Sequence, residues 1–346
     1  MSFNDIGLRE KLYPVADELK SSLRGQGRLT QLPVSYDDLK RYDGLMPQHG
    51  ADGKPTLWNT VMFRPGELAE INARLVETYQ LLIADGRHID HLHVAGVDLC
   101  PYGNSQPFRV KIHNRVNDNH DYFYIKRTDA SRVYGLELEH LLSPNRINYM
   151  VHGATLLEEH IIGVPGDTFI RDPSKYGGGL NAVRLCKEFV KFNERCFVRL
   201  LGDMRAYNFV VDVIHDLDQV QYRIRTIDLD QQSYEGRLRI YLPQFYKENL
   251  PYVELAQQVI GMESAAQYRN EERALLGRRM KLSQAAVDEL LQVMGADRIA
   301  PEEHVLQLAE ELAVHHTDPA FRDQRSMGAL LARHLQVCLG PESGRN

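Results

Sequence analysis

Residues 200–208 read LLGDMRAYN and place an acid and an amide five positions apart, between a helical pattern and a run of β-formers. Asp and Asn side chains favour turns, so this stretch predicts a tight turn ahead of a strand. Further along, residues 224–230 (IRTIDLD) place Asp228 at the end of a hairpin strand. Upstream, residues 122–126 (YFYIK) end an apolar strand on Lys126. The order of these three segments decides the fold that we predict.

The composition narrows the class of protein. The 346 residues include 41 Lys plus Arg and 47 Asp plus Glu, a formal net charge of −6, so we expect no nucleic-acid partner. No apolar run approaches the ~18–20 residues that span a bilayer, and we expect no membrane partner. The four cysteines form no CxxC pair, and residues 1–14 lack the apolar stretch of a signal peptide. These features predict a cytoplasmic protein.

The hydrophobic period changes along the chain. Residues 8–24 and 65–85 show the apolar spacing of helices, and the Gly-, Pro- and Asp-rich stretch between them reads as loop. From about residue 91 the pattern predicts strand, strand, strand, helix, strand, strand, over residues 91–99, 108–116, 121–127, 131–142, 146–153 and 154–162. A helix at 180–195, a hairpin at 208–230 and a nearly all-helical remainder come next. We therefore predict an α+β protein with a helical extension (1–87), a β-rich lobe (88–163) and a helical lobe (164–346).

The three segments together resemble the protein-kinase-like superfamily, and particularly its aminoglycoside- and choline-phosphotransferase branch. In that branch Gly-Asp-x4-Asn is followed, after a hairpin, by hydrophobic-Asp-hydrophobic. The resemblance covers roughly residues 91–235, and the helical character of the remaining C-terminal residues agrees with it. It implies a two-lobed protein-kinase-like fold that binds ATP and Mg²⁺ in the cleft between its lobes.

The resemblance also implies roles for individual residues. Lys126 resembles the lysine that supplies positive charge to the α- and β-phosphates, with Glu137 as its acidic partner and Glu139 as the alternative. Asp203 resembles the catalytic acid that orients the attacking hydroxyl and accepts its proton. Backbone groups around residues 158–160, including Glu159 and His160, would recognise adenine.

The predicted metal ligands are Asn208 and Asp228, because Mg²⁺ prefers hard oxygen donors and completes its octahedron with water and phosphate. Neighbouring Asp230 is the alternative to Asp228. Taken singly, these residues also have ordinary interpretations as turn formers or surface acids. Because they occur together, in this order and on the predicted elements, we favour the functional interpretation.

Some features depart from the family pattern. The segment at 98–109, where a nucleotide-covering hairpin is expected, carries one glycine instead of G-x-G-x-x-G. Leu201 stands where the family commonly has a histidine, and no Ala-Pro-Glu follows Asp228. Residues 231–250 form an aromatic and basic insert, whose Arg237, Arg239 and Lys247 either meet an anionic substrate or are simply solvated.

The predicted function is γ-phosphoryl transfer from ATP to a hydroxyl of an unidentified small molecule or protein. Two alternatives stay open: a pseudokinase-type nucleotide-binding scaffold, and a kinase-fold nucleotidyl transferase. A separate metal site at His88, Asp90, His91 and His93 is a weaker hypothesis, because no later segment supplies matching ligands.

Overall fold

The computed structural model describes residues 11–50, 53–84, 86–176, 179–216 and 219–340. The protein is α+β, with antiparallel sheets and many helices. Its described residues divide into two compact units. The first takes those up to Ala130 together with Ile147–His160, and the second takes Ser131–Arg146 and those from Ile161 onward.

The first unit consists of an antiparallel sheet and three helices. Its strands are β1 (Gly44–His49), β2 (Pro55–Met62), β3 (Leu92–Leu99), β4 (Phe108–Asn114), β5 (Asn119–Arg127), β6 (Tyr149–His152) and β7 (Thr155–Glu159). Their order across the sheet is β1-β2-β3-β4-β5-β7-β6. The helices are α1 (Asp17–Gly25), α2 (Tyr36–Leu39) and α3 (Pro65–Ala84).

The core of this unit forms where α3 covers the sheet. Leu75 and Ile71 of α3 are buried with Phe108 and Phe123 of the central strands. Alternation along β4 and β5 gives the sheet this apolar face, as expected for strands buried on one side. Tyr79 of α3 donates a hydrogen bond of 2.6 Å to Asp121, so the helix is also fixed by a polar contact.

One sequence prediction for residues 1–87 is wrong, and another is only partly confirmed. The stretch read as loop contains β1 and β2, and β2 pairs with β3, so the described part of this region is not simply a helical extension. The stretch reads as loop because it contains Gly, Pro and Asp residues and because its two strands show little alternation of apolar and polar residues. Among the described residues, the helix predicted at 8–24 begins at Asp17 and ends at Gly25; residues 1–10 lie outside them. The predicted helix at 65–85 is confirmed as α3.

The second unit is mainly helical. Its helices are α4 (Ala130–Leu142, whose first residue belongs to the first unit), α5 (Gly166–Arg171), α6 (Ala182–Arg199), α7 (Leu250–Val259), α8 (Met262–Leu282), α9 (Gln284–Ala296), α10 (Glu302–His316) and α11 (Met327–Leu339). Strands β8 (Val164–Pro165), β9 (Phe209–Asp216) and β10 (Gln219–Thr226) form a small antiparallel sheet. The insert at 231–250 is built largely of 3₁₀ turns.

Helix α6 is central to this unit because it packs against α7, α8, α11 and β10. Its apolar side chains Leu185, Phe189 and Phe192 are buried. The helix runs to Arg199, four residues beyond the predicted end at 195, and the hairpin strands lie within the predicted segment. Among the described residues, no helix is both long enough and apolar enough to cross a membrane.

Candidate active site

The segment LLGDMRAYN begins where α6 ends. Leu200 takes a left-handed conformation (φ 50°) and its N–H bonds back to the Phe197 carbonyl, which closes the helix. The chain then runs beside residues 227–232: Leu201 forms a β-bridge with Gln232, and the Gly202 N–H donates to the Gln231 carbonyl at 3.1 Å. We call residues 200–208 and 227–232 the loop pair.

Asp203 has a strained backbone within the loop pair, with φ at 57°. Left-handed conformations cost non-glycine residues of order 1–3 kcal/mol and are concentrated at functional sites. The surrounding contacts maintain this conformation: the Asp203 N–H lies 3.3 Å from the Ile240 carbonyl and 3.1 Å from the Tyr246 hydroxyl. The insert therefore supports the backbone of the predicted catalytic acid.

The Asp203 carboxylate is oriented by two neighbours. Arg205 Nε donates to its Oδ1 at 2.6 Å, and Asn208 Nδ2 donates to its backbone carbonyl at 2.8 Å and to its Oδ2 at 3.4 Å. These contacts use the amide nitrogen of Asn208.

The pKa of Asp203 is raised above its ordinary value. Burial is the main cause, and the carboxylates of Glu248 and Glu235 add to it, while the Arg205 guanidinium acts in the opposite direction. Arg205 also bonds Glu248 at 3.2 Å, so its positive charge is shared. A raised pKa suits a group that must accept a proton near neutral pH.

Asn208 and Asp228 meet at the open end of the β9–β10 hairpin. Phe209 pairs with Thr226 in that hairpin, and the Ile227 N–H donates to the Asn208 carbonyl at 3.1 Å. One residue precedes β9 and the other follows β10, so the antiparallel register places them at the same end. The loop pair therefore brings together the predicted catalytic acid and both predicted metal ligands.

Arg132 is part of this site although the sequence pattern did not single it out. Its guanidinium, buried on α4, bonds Asp228 Oδ1 at 3.0 Å and Asp230 Oδ1 at 2.7 Å. The signal in the sequence was a basic residue in the first turn of the predicted helix. Only the pairing of α4 with a segment almost 100 residues later gives it a role.

The two acids differ in their surroundings. The Asp230 side chain is 9% exposed and the Asp228 side chain is 39% exposed. The Asp230 N–H also donates to Asp228 Oδ1 at 3.0 Å. Asp228 is therefore the acid that a solvated cation reaches more readily.

The two glutamates predicted as lysine partners are both buried on α4. Glu139 forms a buried ion pair with Arg199 of α6. Each member of a buried ion pair needs the other, because a buried charge without a partner strongly destabilises the fold. Glu139 therefore has a structural role within the second unit, and Glu137, two residues earlier on the same helix, is fully buried.

In the first unit, Lys126 forms a buried ion pair with Glu158, a partner that the sequence did not predict. Lys126 Nζ lies 2.6 Å from Glu158 Oε2, with side chains 8% and 5% exposed. Lys126 lies on β5 and Glu158 on β7, and these two strands are adjacent in the sheet. Glu158 pairs with Tyr124, two residues before Lys126. Lys126 is therefore not an ordinary solvated lysine at a strand end.

The predicted adenine-recognition segment ends β7. The Glu159 N–H donates to the Asn148 carbonyl at 3.0 Å, and Glu159 Oε2 accepts from the Asn148 side chain at 2.9 Å. His160 Nδ1 lies 3.1 Å from the Tyr124 hydroxyl, and burial lowers the pKa of His160. One of these contacts holds the Glu159 backbone, and the other two hold side chains.

The structure does not arrange the histidines near residue 90 as the weaker metal hypothesis requires, with His91 and His93 on one strand. His91 (φ 67°) lies just before β3, whereas His93 lies within it and pairs across the sheet with His113. His113 is in turn opposite His120 on β5. The histidine row thus crosses three strands, and His91 and His93 do not share one strand face.

The donor chemistry at Asn208 and Asp228 fits Mg²⁺. An amide oxygen and a carboxylate are hard donors, and Mg²⁺ typically takes one or two such groups plus water and phosphate oxygens. Comparison of the chain with protein-family models gives no match, and comparison with curated proteins gives none either.

Proposed function

We propose that this protein is an ATP- and Mg²⁺-dependent phosphotransferase with a two-lobed kinase-like fold. The observation that supports this most is the loop pair, in which Asn208 donates to Asp203 and the Ile227 N–H, next to Asp228, donates to the Asn208 carbonyl. Backbone strain of the kind seen at Asp203 is concentrated at functional sites, and a raised pKa suits a proton-accepting acid.

The proposed reaction has a simple balance. An acceptor hydroxyl gives its proton to the Asp203 carboxylate while its oxygen bonds the γ-phosphorus. The bond from that phosphorus to the bridging oxygen breaks, and ADP leaves. Asn208 and Asp228 would hold Mg²⁺, which would neutralise charge on the phosphates. The family resemblance assigns Lys126 to the same phosphates.

The test uses ATP labelled separately at the α- and γ-phosphates, with Mg²⁺, and with water and the protein's own hydroxyls as acceptors. We expect the γ label to appear as inorganic phosphate or on the protein, and the α label to stay in nucleotide. An Asp203→Asn protein purified identically controls for contaminating enzymes. Transfer of the α label to protein would instead indicate nucleotidyl transfer.

One observation favours the scaffold alternative. The Arg132 guanidinium lies on the Asp228 carboxylate, where the proposed reaction needs a metal ion. If the arginine kept that position, nucleotide could bind without reacting. Movement of neither label, together with a thermal shift on adding ATP, would support this alternative. Movement of neither label without any nucleotide binding would overturn both.

A further inference from the structure

A cluster of two histidines and a cysteine lies in the C-terminal helices, apart from the loop pair. His316 ends α10, and His334 and Cys338 lie one turn apart on α11. Residues at i and i+4 share a helix face, a spacing used by paired metal ligands. Among the described residues, these are the one group of at least three such side chains with donor atoms within 4.8 Å of one another.

The separations approach those of a tetrahedral zinc site. His316 Nε2 lies 3.0 Å from His334 Nδ1, and Cys338 Sγ lies 3.9 Å from the same nitrogen. Zn–N bonds of about 2.0–2.1 Å and Zn–S bonds of about 2.3 Å imply N···N near 3.3 Å and N···S near 3.6 Å in tetrahedral geometry. The His316–His334 and His334–Cys338 separations each lie within about 0.3 Å of these values. All three donor atoms lie within 4.8 Å of one another.

The tautomer of His334 also suits a ligand. Its Nε2 lies 3.0 Å from the Phe197 carbonyl, and a carbonyl only accepts, so Nε2 carries the proton. The lone pair is then on Nδ1, which lies 3.0 Å from His316 Nε2, while Cys338 Sγ lies 3.9 Å from Nδ1 and 3.7 Å from Nε2. Metal-binding histidines usually donate their second ring N–H to a carbonyl or carboxylate in this way.

The cluster is buried on the side of α11 and partly exposed to solvent at His316. His334 and Cys338 are 0% and 1% exposed, whereas His316 is only partly buried and offers a route from solvent. The neighbouring charges are already paired: Arg273 with Glu194 at 2.5 Å, and Arg333 with Asp318 at 2.6 Å. An entering dication therefore meets no unpaired positive charge in those two arginines.

We propose that His316, His334 and Cys338 bind a divalent zinc-type ion, with the fourth position left to water or another small ligand. On binding, the Cys338 thiol loses its proton to solvent. The His316 proton between the two rings moves to its Nδ1. A soft thiolate with two imidazoles selects zinc over magnesium or calcium. The ion would tie α10 to α11, and through the Phe197 carbonyl to α6.

The experiment is a cobalt titration of the full-length protein after dialysis against a chelator. We expect one equivalent of Co²⁺ to give the visible bands of tetrahedral cobalt and a thiolate charge-transfer band, both removed by added zinc. Cys338→Ala should abolish the charge-transfer band, while Cys186→Ala, another buried free cysteine, should keep it. No tetrahedral spectrum, or a band that survives in Cys338→Ala, would overturn the proposal.

The matched histidine pair is His316→Gln against His315→Gln. Since even second-shell changes cost roughly 10- to 100-fold in metal affinity, loss of the His316 ligand should cost at least about 100-fold. His315 is adjacent but outside the group, so its variant should bind within about 3-fold of the parent. Equal loss in both variants, or loss on changing His113 instead, would contradict the assignment. Circular dichroism checks that each variant is folded. If Cys338→Ala does not fold, Cys338→Ser replaces it in the titration.

Discussion

At the scale of single residues, Asp203 combines features that a purely structural aspartate does not need. Its left-handed backbone is strained, 35% of its side chain remains exposed, and its carboxylate is oriented from two sides. Burial raises its pKa while Arg205 lowers it. The balance between these two influences sets the pH at which Asp203 is ionised.

Asp203→Asn should lower turnover by roughly 10²- to 10⁴-fold, because the amide cannot accept the proton. Its melting temperature should change little, since Asn is isosteric and tolerates the left-handed region. Turnover is measured as release of the γ label, and stability is measured by thermal unfolding. Asp212→Asn, in β9 and outside the loop pair, is the matched control. An active Asp203→Asn protein would remove this role from Asp203.

Arg205→Gln should shift the acid limb of the pH–rate profile to higher pH. The guanidinium stabilises the ionised Asp203 carboxylate, so its removal raises the pKa of Asp203 further. Activity requires the ionised form and is lost as pH falls through that pKa, so the loss begins at a higher pH in the variant. Initial rates from acid to neutral pH measure this. An acid limb that stays in place would show that Asp203 does not govern it.

At the scale of elements, the loop pair depends on close packing where β8 leads into α5. A Cβ added to Gly166 would lie 2.2 Å from the Phe209 ring and 2.6 Å from the Ala206 carbonyl. Both atoms belong to the stretch that carries Asn208. Glycine at this position therefore allows α5 to approach the loop pair.

Gly166→Ala should destabilise the protein by about 1–3 kcal/mol, as overpacking typically does, and should reduce activity as well. Denaturant unfolding and γ-label release give the two readouts. Gly261→Ala is the control, because a Cβ there meets nothing within 4 Å. Parental activity and stability in Gly166→Ala would show that the loop adapts freely.

The ion pair between Arg199 and Glu139 joins α6 to α4. Both side chains are nearly fully buried, so Arg199→Met leaves an uncompensated charge and should cost about 3–5 kcal/mol. Adding Glu139→Gln should recover part of that loss. Arg322→Met, which breaks an exposed pair with Glu310, should cost far less in the same unfolding assay, because solvent screens that pair. Equal costs for the two arginines would contradict this account.

At the scale of the whole molecule, ligand binding should appear as added stability. A ligand at 100 times its Kd stabilises the native state by about 2.7 kcal/mol. Mg-ATP should therefore raise the melting temperature of the parent protein, and Asp228→Ala should lose most of that rise. Calorimetry gives the affinity directly. Parental affinity in Asp228→Ala would move the metal role to Asp230, which Asp230→Asn then tests.

Prediction from the sequence succeeded where the pattern is local. The apolar spacing of α3 and the strand periods of β3, β4 and β5 were sufficient, because each is a property of a few consecutive residues. It failed for β1 and β2, whose residues alternate little. The pairing of β2 with β3 holds that strand in place, and a local pattern does not contain that information.

The candidate site divides in the same way. The types of chemical group could be predicted from the sequence: an acid and an amide five positions apart, a further acid after a hairpin, and a lysine at a strand end. The pairings of Lys126 with Glu158 and of Arg132 with Asp228 and Asp230 became visible only in the folded chain. The partners lie 32 to 98 residues apart along the chain. Electrostatic energy depends on distance in space and on burial, and folding sets both.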